Sequence, residues 1–290
     1  MIRKVGIIDA ALHKTAAWVA ETERRPREAF SQAVGRNDKN LAEILKRQKD
    51  PRVLVLASGG CEAFTLAKIT ERASQVTLAD IRQEALRGAE DKAPAAEREK
   101  VELVQADISL YDSGYYAKAT ALIEQAASSR QALEEFHTYL ASAANLMARP
   151  LEWYAGQANL IVLIDAVSHV SNSTLLCLEN KVLEHWQTQS RRQYGWRSLE
   201  NDQEKMMRIE TLFFRALMKE VKSKLASGGL VYFVGISGYK DNDGRVWYPQ
   251  DFYRRVFVND FRIISALLPH KSLNGADGYN RSCSLLGEPL

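Results

Sequence analysis

The feature that most constrains this chain is a recurring pair: a short apolar run closing on glycine or aspartate, then a helical stretch. Arg52-Val53-Leu54-Val55-Leu56-Ala57 ends on Ser58-Gly59-Gly60, and a helical pattern follows from Ala63 to Arg72. Gln75-Val76-Thr77-Leu78-Ala79-Asp80 and Val101-Glu102-Leu103-Val104-Gln105-Ala106-Asp107 repeat the theme, each closing on a carboxylate. Asn159-Leu160-Ile161-Val162-Leu163-Ile164-Asp165 is apolar without alternation, which predicts a strand covered on both faces. Leu230 to Val234 is a fifth run. Strand, turn and helix in repetition build βαβ units, and those give a parallel sheet covered by helices.

The helical segments fill the intervals. Ile209, Phe213, Leu217, Val221 and Leu225 recur every fourth residue and define one apolar helix face, with Gly228-Gly229 as its stop signal. The first fifty residues read as helices, with Ile8, Leu12, Ala16 and Val19 on one face and Leu41, Ile44 and Leu45 on another. Gly35-Arg36-Asn37-Asp38 is read as a break between them. A helical stretch at about 109–150 is read as an insertion, and a further helix is expected near Leu175 to Trp186. A short helix from Asp251 to Phe257 leads to two final strands, Ile263–Leu268 and Ser282–Leu286. Too little chain separates those two for a helical crossover, so they pair antiparallel through a loop near Asn274-Gly275.

Composition narrows the function classes. A net charge of +3 over 290 residues is too small to argue for nucleic acid or an anionic membrane. Cys61, Cys177 and Cys283 are far apart and lack metal-ligand spacing, so neither a disulfide framework nor a metal site is expected. That cysteine usage fits a reducing, cytoplasmic setting. The apolar stretch after Met1 is interrupted by Asp9, His13 and Lys14, and no run is long enough for a membrane span.

In an open α/β sheet, ligands gather beyond the carboxyl ends of the strands. The residues there are Ser58, Gly59, Gly60 and Cys61, then Asp80, Asp107 and Asp165. Glycines let a ligand approach the backbone, and an acid about twenty residues after such a turn can accept both ribose hydroxyls. That points to Asp80. The turn lacks the G-x-G-x-x-G of dinucleotide sites, and no G-x-x-x-x-G-K-[ST] occurs, so dinucleotides and nucleoside triphosphates are disfavoured.

Five βα steps closed by an antiparallel hairpin resemble the class I methyltransferase fold, from about Arg52 to the C-terminus. The resemblance implies an α/β Rossmann-like domain over 51–290, with a mostly parallel seven-stranded sheet; the helical residues 1–50 are read as a lid. It implies S-adenosylmethionine (SAM) as the donor, with Asp107 near the adenine amino group. Ile81 and Ile108, beside the two acids, join the expected cofactor-contacting set.

Within that superfamily, Ser58-Gly59-Gly60-Cys61 is similar to the S-G-G-C-N motif of enzymes that transfer the 3-amino-3-carboxypropyl group of SAM, with Glu62 in place of the asparagine. Size and helical N-terminus resemble the azetidine-2-carboxylate synthases. There the α-amino nitrogen of SAM attacks its own γ-carbon and methylthioadenosine leaves. This resemblance implies cyclisation of SAM as the activity. The alternatives are a methyltransferase acting on a small-molecule acceptor and a non-catalytic SAM-binding subunit.

Either chemistry calls for aromatic faces around a sulfonium. Trp18, Tyr139, Trp153, Tyr154, Tyr239, Trp247 and Tyr248 are the supply. Ser168, His169 and Asn172 follow the fourth strand where acceptor-side groups are expected, with His169 as the candidate base. Tyr139, Ser168, His169 and Tyr239 form the expected catalytic set. Cys61 is read as a packing residue of the turn rather than a nucleophile. The partner is expected to be a small molecule, with the chain acting as a monomer or homodimer.

Overall fold

The structure is a computed structural model. The structure describes residues 3–5, 27–106, 108, 121, 131, 134, 135, 138, 151–164, 203–237, 239–240, 246–247, 252–274 and 278–290. Its centre is a single mixed sheet. The strands are β1 (Arg3–Val5), β2 (Arg52–Leu56), β3 (Gln75–Asp80), β4 (Val101–Ala106), β5 (Ala158–Ile164), β6 (Leu225–Ser237), β9 (Phe261–Asn274) and β10 (Gly278–Pro289). They lie in the order β1-β4-β3-β2-β5-β6-β10-β9. From β1 to β6 neighbouring strands are parallel, whereas β10 runs antiparallel to both β6 and β9.

The seven expected strands, mostly parallel and with the antiparallel ending, are thus present in one α/β sheet. One correction concerns the count. Arg3–Val5, within the first fifty residues that were expected to be helical, adds an eighth strand parallel to β4. Three residues are too short to display a period. What places them is the unpaired edge of β4.

The helices are α1 (Arg27–Leu45), α2 (Leu66–Thr70), α3 (Gln83–Lys92), α4 (Gln203–Ser223) and α5 (Phe252–Phe257). Helices α4 and α5 cover one sheet face, where Phe213, Phe214, Leu217 and Val221 pack with Leu54, Leu163, Phe233 and Tyr253. On the other face Leu41, Ile44 and Leu45 of α1 pack with Val53, Val55, Leu160 and Tyr232. Leu160 to Leu163 have no exposed surface, as their unbroken apolar run predicts.

Two punctuation signals are overturned. Helix α1 runs straight through Gly35-Arg36-Asn37-Asp38, the expected break. The polar side chains that weaken an isolated helix have tertiary partners here. The Asn37 amide donates to the Ala63 carbonyl at 2.9 Å, and Asp38 accepts from Thr65 and Lys68. The second signal is Gly228-Gly229, which does not cap α4. That helix ends at Ser223, and Leu225 has already entered β6. Leu225 pairs with Ala158 and Leu230 with Leu160, so the glycines lie in a bulge at the strand entrance. Gly228 has a φ of +71°, and a Cβ on Gly229 would lie 2.8 Å from the Ala226 carbonyl oxygen.

A two-stranded ribbon, β7 (Tyr239–Lys240) with β8 (Val246–Trp247), follows β6 and has no counterpart in the sequence reading. Of the expected insertion at 109–150, only Ala121, Gln131, Glu134, Glu135 and Thr138 are described, all helical. The predicted helix face at Ile8 to Val19 and the helix near Leu175 to Trp186 lie outside the described residues. Among the described residues no helix is long and apolar enough to cross a membrane.

Candidate functional site

The strand order reverses between β2 and β5, so the connections leave on opposite sides and open a crevice above the carboxyl ends. The turn that follows β2 sits at this crevice. Its backbone alternates into the left-handed region, with φ of +51° at Ala57, +53° at Gly59 and +55° at Cys61. Two of these three residues carry a side chain, and an L-residue in that region is strained by about 1–2 kcal/mol. The surrounding hydrogen bonds hold the strained path in place.

The Ser58 N–H donates to the Ala79 carbonyl at 2.9 Å, and the Cys61 N–H to the Ser58 carbonyl at 3.0 Å. The Gly59 N–H donates to Asp80 Oδ2 at 2.8 Å. Asp80 closes the neighbouring strand β3, in register with Gln105 of β4, and is only 5% exposed. Its other oxygen, Oδ1, accepts the Arg82 N–H at 2.9 Å and Arg82 Nε–H at 3.4 Å. From the last turn of α3, Lys92 Nζ donates to the Gly60 carbonyl at 2.5 Å.

A side chain on Gly60 would meet Glu62 Oε1 at 2.9 Å and lie 3.6 Å from Lys92 Nζ. One on Gly59 would lie 3.5 Å from Arg82 Nη2. The absent side chains thus leave a strip of bare backbone bordered by Asp80, Arg82, Glu62 and Lys92. Such a strip suits a polar, nucleoside-like ligand that needs backbone approach and a carboxylate for its hydroxyls.

Cys61 is buried within this ring of charge. Burial pushes its thiol up to about 12; Lys92 works against the rise, and Glu62 and Asp80 add to it. The thiol stays protonated at neutral pH, which agrees with a packing role and not a nucleophilic one.

The turn is anchored from below. Asp38 of α1 accepts the Thr65 N–H and the Thr65 hydroxyl, both at 2.7 Å, and Lys68 Nζ at 3.0 Å. Burial raises the Asp38 carboxyl, but the two Thr65 hydrogen bonds and the Lys68 ammonium outweigh it and hold the group below its ordinary value. The Tyr232 hydroxyl donates to Asn37 Oδ1 and accepts from the Asn40 amide, each at 3.0 Å. Helix α1, the loop to α2 and strand β6 are therefore tied by one polar network.

Of the expected site residues, the structure brings Ser58, Gly59, Gly60, Cys61 and Asp80 together. Ile81 follows half-buried, its carbonyl accepting the Gln105 amide at 2.9 Å. Ile108 is buried in the core cluster that includes Leu54 and Leu56. Asp107, Asp165, Tyr139, Ser168 and His169 lie outside the described residues. Tyr239 opens β7, where it pairs in register with Trp247.

Trp153 and Tyr154, offered as sulfonium partners, sit at the amino end of β5. They pack edge-to-face at 5.8 Å, and the Tyr154 carbonyl accepts Lys224 Nζ. Because β5 runs parallel to β2, residues preceding it lie at the end of the sheet away from the glycine turn. They are structural.

Residues the sequence reading missed are Arg82, Lys92, Asn37, Asp38 and Gln105. Arg82 had a signal, standing two residues after Asp80. Asn37 and Asp38 were visible only as helix-weakening residues. No group of three or more His, Cys, Asp or Glu suited to a metal ion occurs among the described residues. A cavity of about 310 Å³ between Asn40 and Ile44 of α1 and Leu230, Ile264 and Leu286 lies on the flank of the sheet, apart from the strand ends.

No protein-family model matches the chain, and no curated protein matches it. Solved structures resemble it loosely. The N-methyltransferase NodS from Bradyrhizobium japonicum WM9, in complex with S-adenosyl-L-homocysteine, superposes with a TM-score of 0.46 at 11% identity, over 97% of this chain and 99% of that one. Magnesium protoporphyrin IX methyltransferase from Synechocystis PCC 6803, with bound SAM, gives 0.43 at 11% identity over 90% and 80%. A DhpI complex with S-adenosylhomocysteine gives 0.40 at 16% identity over 98% and 97%.

Proposed function

We propose that this chain is a SAM-dependent transferase, with methyl transfer to a small-molecule acceptor as its activity. The observation that carries the reading is the glycine turn at the crevice between β2 and β5, held by the terminal carboxylate of the adjacent strand. SAM supplies an electrophilic methyl carbon on its sulfonium. In this reading Gly59 and Gly60 receive the ligand against bare backbone, and Asp80 accepts ribose hydroxyls. Asp107, with Ile81 beside it, serves the adenine, and Ser168 and His169 serve the acceptor. Such an enzyme works chiefly by orienting an already activated donor. A cytoplasmic setting belongs to this reading, because Cys61, Cys177 and Cys283 are widely spaced and form no disulfide framework pattern.

A second reading is favoured by one feature, the Ser58-Gly59-Gly60-Cys61 turn. It is cleavage of the aminocarboxypropyl arm, with cyclisation of SAM as its sharpest form. Chromatography of the protein incubated with SAM separates the two. S-adenosylhomocysteine accumulating only with an acceptor pool supports methyl transfer. Methylthioadenosine formed from SAM alone supports cyclisation. Neither product, together with no calorimetric binding of SAM or S-adenosylhomocysteine, sinks both.

A further inference from the structure

Asp80 is heavily engaged. An ionised carboxylate offers about four lone-pair positions. Three donors already point at Asp80: the Gly59 N–H on Oδ2, and the Arg82 N–H and Nε–H on Oδ1. A ribose diol needs two positions, so one existing donor must leave. The Gly59 and Arg82 N–H groups belong to the backbone of two turns and are fixed at 2.8 and 2.9 Å. The third, Arg82 Nε–H, is the longest contact at 3.4 Å and is carried by a side chain 28% exposed. It is the donor that can move.

We propose that Arg82 is a specificity-determining residue: it competes with the ribose for Asp80 and favours nucleosides that bring their own carboxylate. The inference rests on the SAM reading above and deepens it. Once displaced, Arg82 offers several guanidinium N–H donors and no acceptor, so it is best met by an anionic group. Its guanidinium already lies beside Gly59, with Nη2 3.5 Å from the position a Cβ would take. An anionic group lying along the bare backbone meets the displaced guanidinium there. A nucleoside without such a group displaces Arg82 and gives nothing back. The SAM scaffold satisfies the requirement through the carboxylate of its aminocarboxypropyl arm.

The test compares two thioethers that share the adenosine and the neutral sulfur. S-adenosylhomocysteine carries the aminocarboxypropyl arm, and 5′-methylthioadenosine has a methyl group in its place. Both are titrated calorimetrically into the wild-type chain and into Arg82→Ala and Arg82→Gln, each checked for cooperative melting. Arg82→Gln keeps much of the side-chain bulk if alanine fails to fold. The wild type is expected to prefer S-adenosylhomocysteine. A charge-assisted contact corresponds to roughly a tenfold effect or more, so both variants should shrink that preference by about tenfold. Part of the shrinkage should come from tighter binding of methylthioadenosine. A preference within about threefold of wild type in a folded variant overturns the inference. Failure of the wild type to bind either nucleoside overturns the SAM reading itself.

Discussion

The two faces of the sheet are built on different principles, and consecutive residues of β6 show it. Phe233 points to the face covered by α4 and α5, where its ring lies 4.9 Å from Phe214 and 5.0 Å from Tyr253. Tyr232 points to the opposite face, where its hydroxyl joins Asn37 and Asn40 of α1. The first face is a tight aromatic core. So little room remains there that a Cβ on Gly235 would lie 2.6 Å from Phe233 Cζ. The second face mixes aliphatic packing with directional polar ties that reach the glycine turn. The aromatic face contributes stability through buried area, and the polar face contributes geometry at the site.

The largest expected effect breaks the first face. Phe233→Ala should lower unfolding free energy by about 3–5 kcal/mol, measured by urea denaturation. At a temperature where the variant remains folded, its affinity for S-adenosylhomocysteine should change little, because β6 contacts the turn through Tyr232 and α1. A parallel loss of affinity would show that the faces are not separable.

An intermediate effect breaks the second face. Asp38→Ala leaves the Thr65 N–H, the Thr65 hydroxyl and Lys68 without their acceptor and should cost about 2–3 kcal/mol. Unlike Phe233→Ala, it should also weaken ligand binding, since Thr65 ends the segment that carries the turn. The carboxyl is depressed in the folded chain, so its contribution is fully present above its ordinary value of 3.8. It is lost as pH falls through the lower folded value. Acid denaturation of Asp38→Asn should therefore show a shallower loss of stability below about pH 4 than the wild type.

The smallest effect sharpens the comparison in the opposite direction. A Cβ on Gly35 meets nothing within 4 Å, and the residue sits inside a helix. Gly35→Ala should raise stability by roughly 1 kcal/mol, read as an upward shift in melting temperature. No gain would mean that α1 uses the glycine for something its backbone conformation does not show.

Much of the sheet was legible because strands buried on both faces must be apolar throughout, and Val53 to Leu56 and Leu160 to Ile164 obey that rule. The antiparallel ending was legible because the chain between the last two strands is too short to cross over. The glycine turn after β2 and the carboxylate closing β3 were legible because a left-handed turn favours glycine and a polar residue ends an apolar run. Trp153 and Tyr154 misled because aromatic composition does not say at which end of a sheet a ring will lie.

The sequence by itself determined the order of the seven long strands and the residue types at their carboxyl ends, since periodicity and residue type are local properties. Only the tertiary structure decided that Gly35-Arg36-Asn37-Asp38 stays helical, that Gly228-Gly229 forms a bulge, and that Arg82 leans on Asp80. Each depends on a partner distant in sequence or on side-chain direction. Asn37 needs Ala63 and Tyr232, the bulge needs Ala158, and the Arg82 guanidinium needs the turn at Gly59. No local pattern records which of two competing hydrogen-bond arrangements such partners will favour.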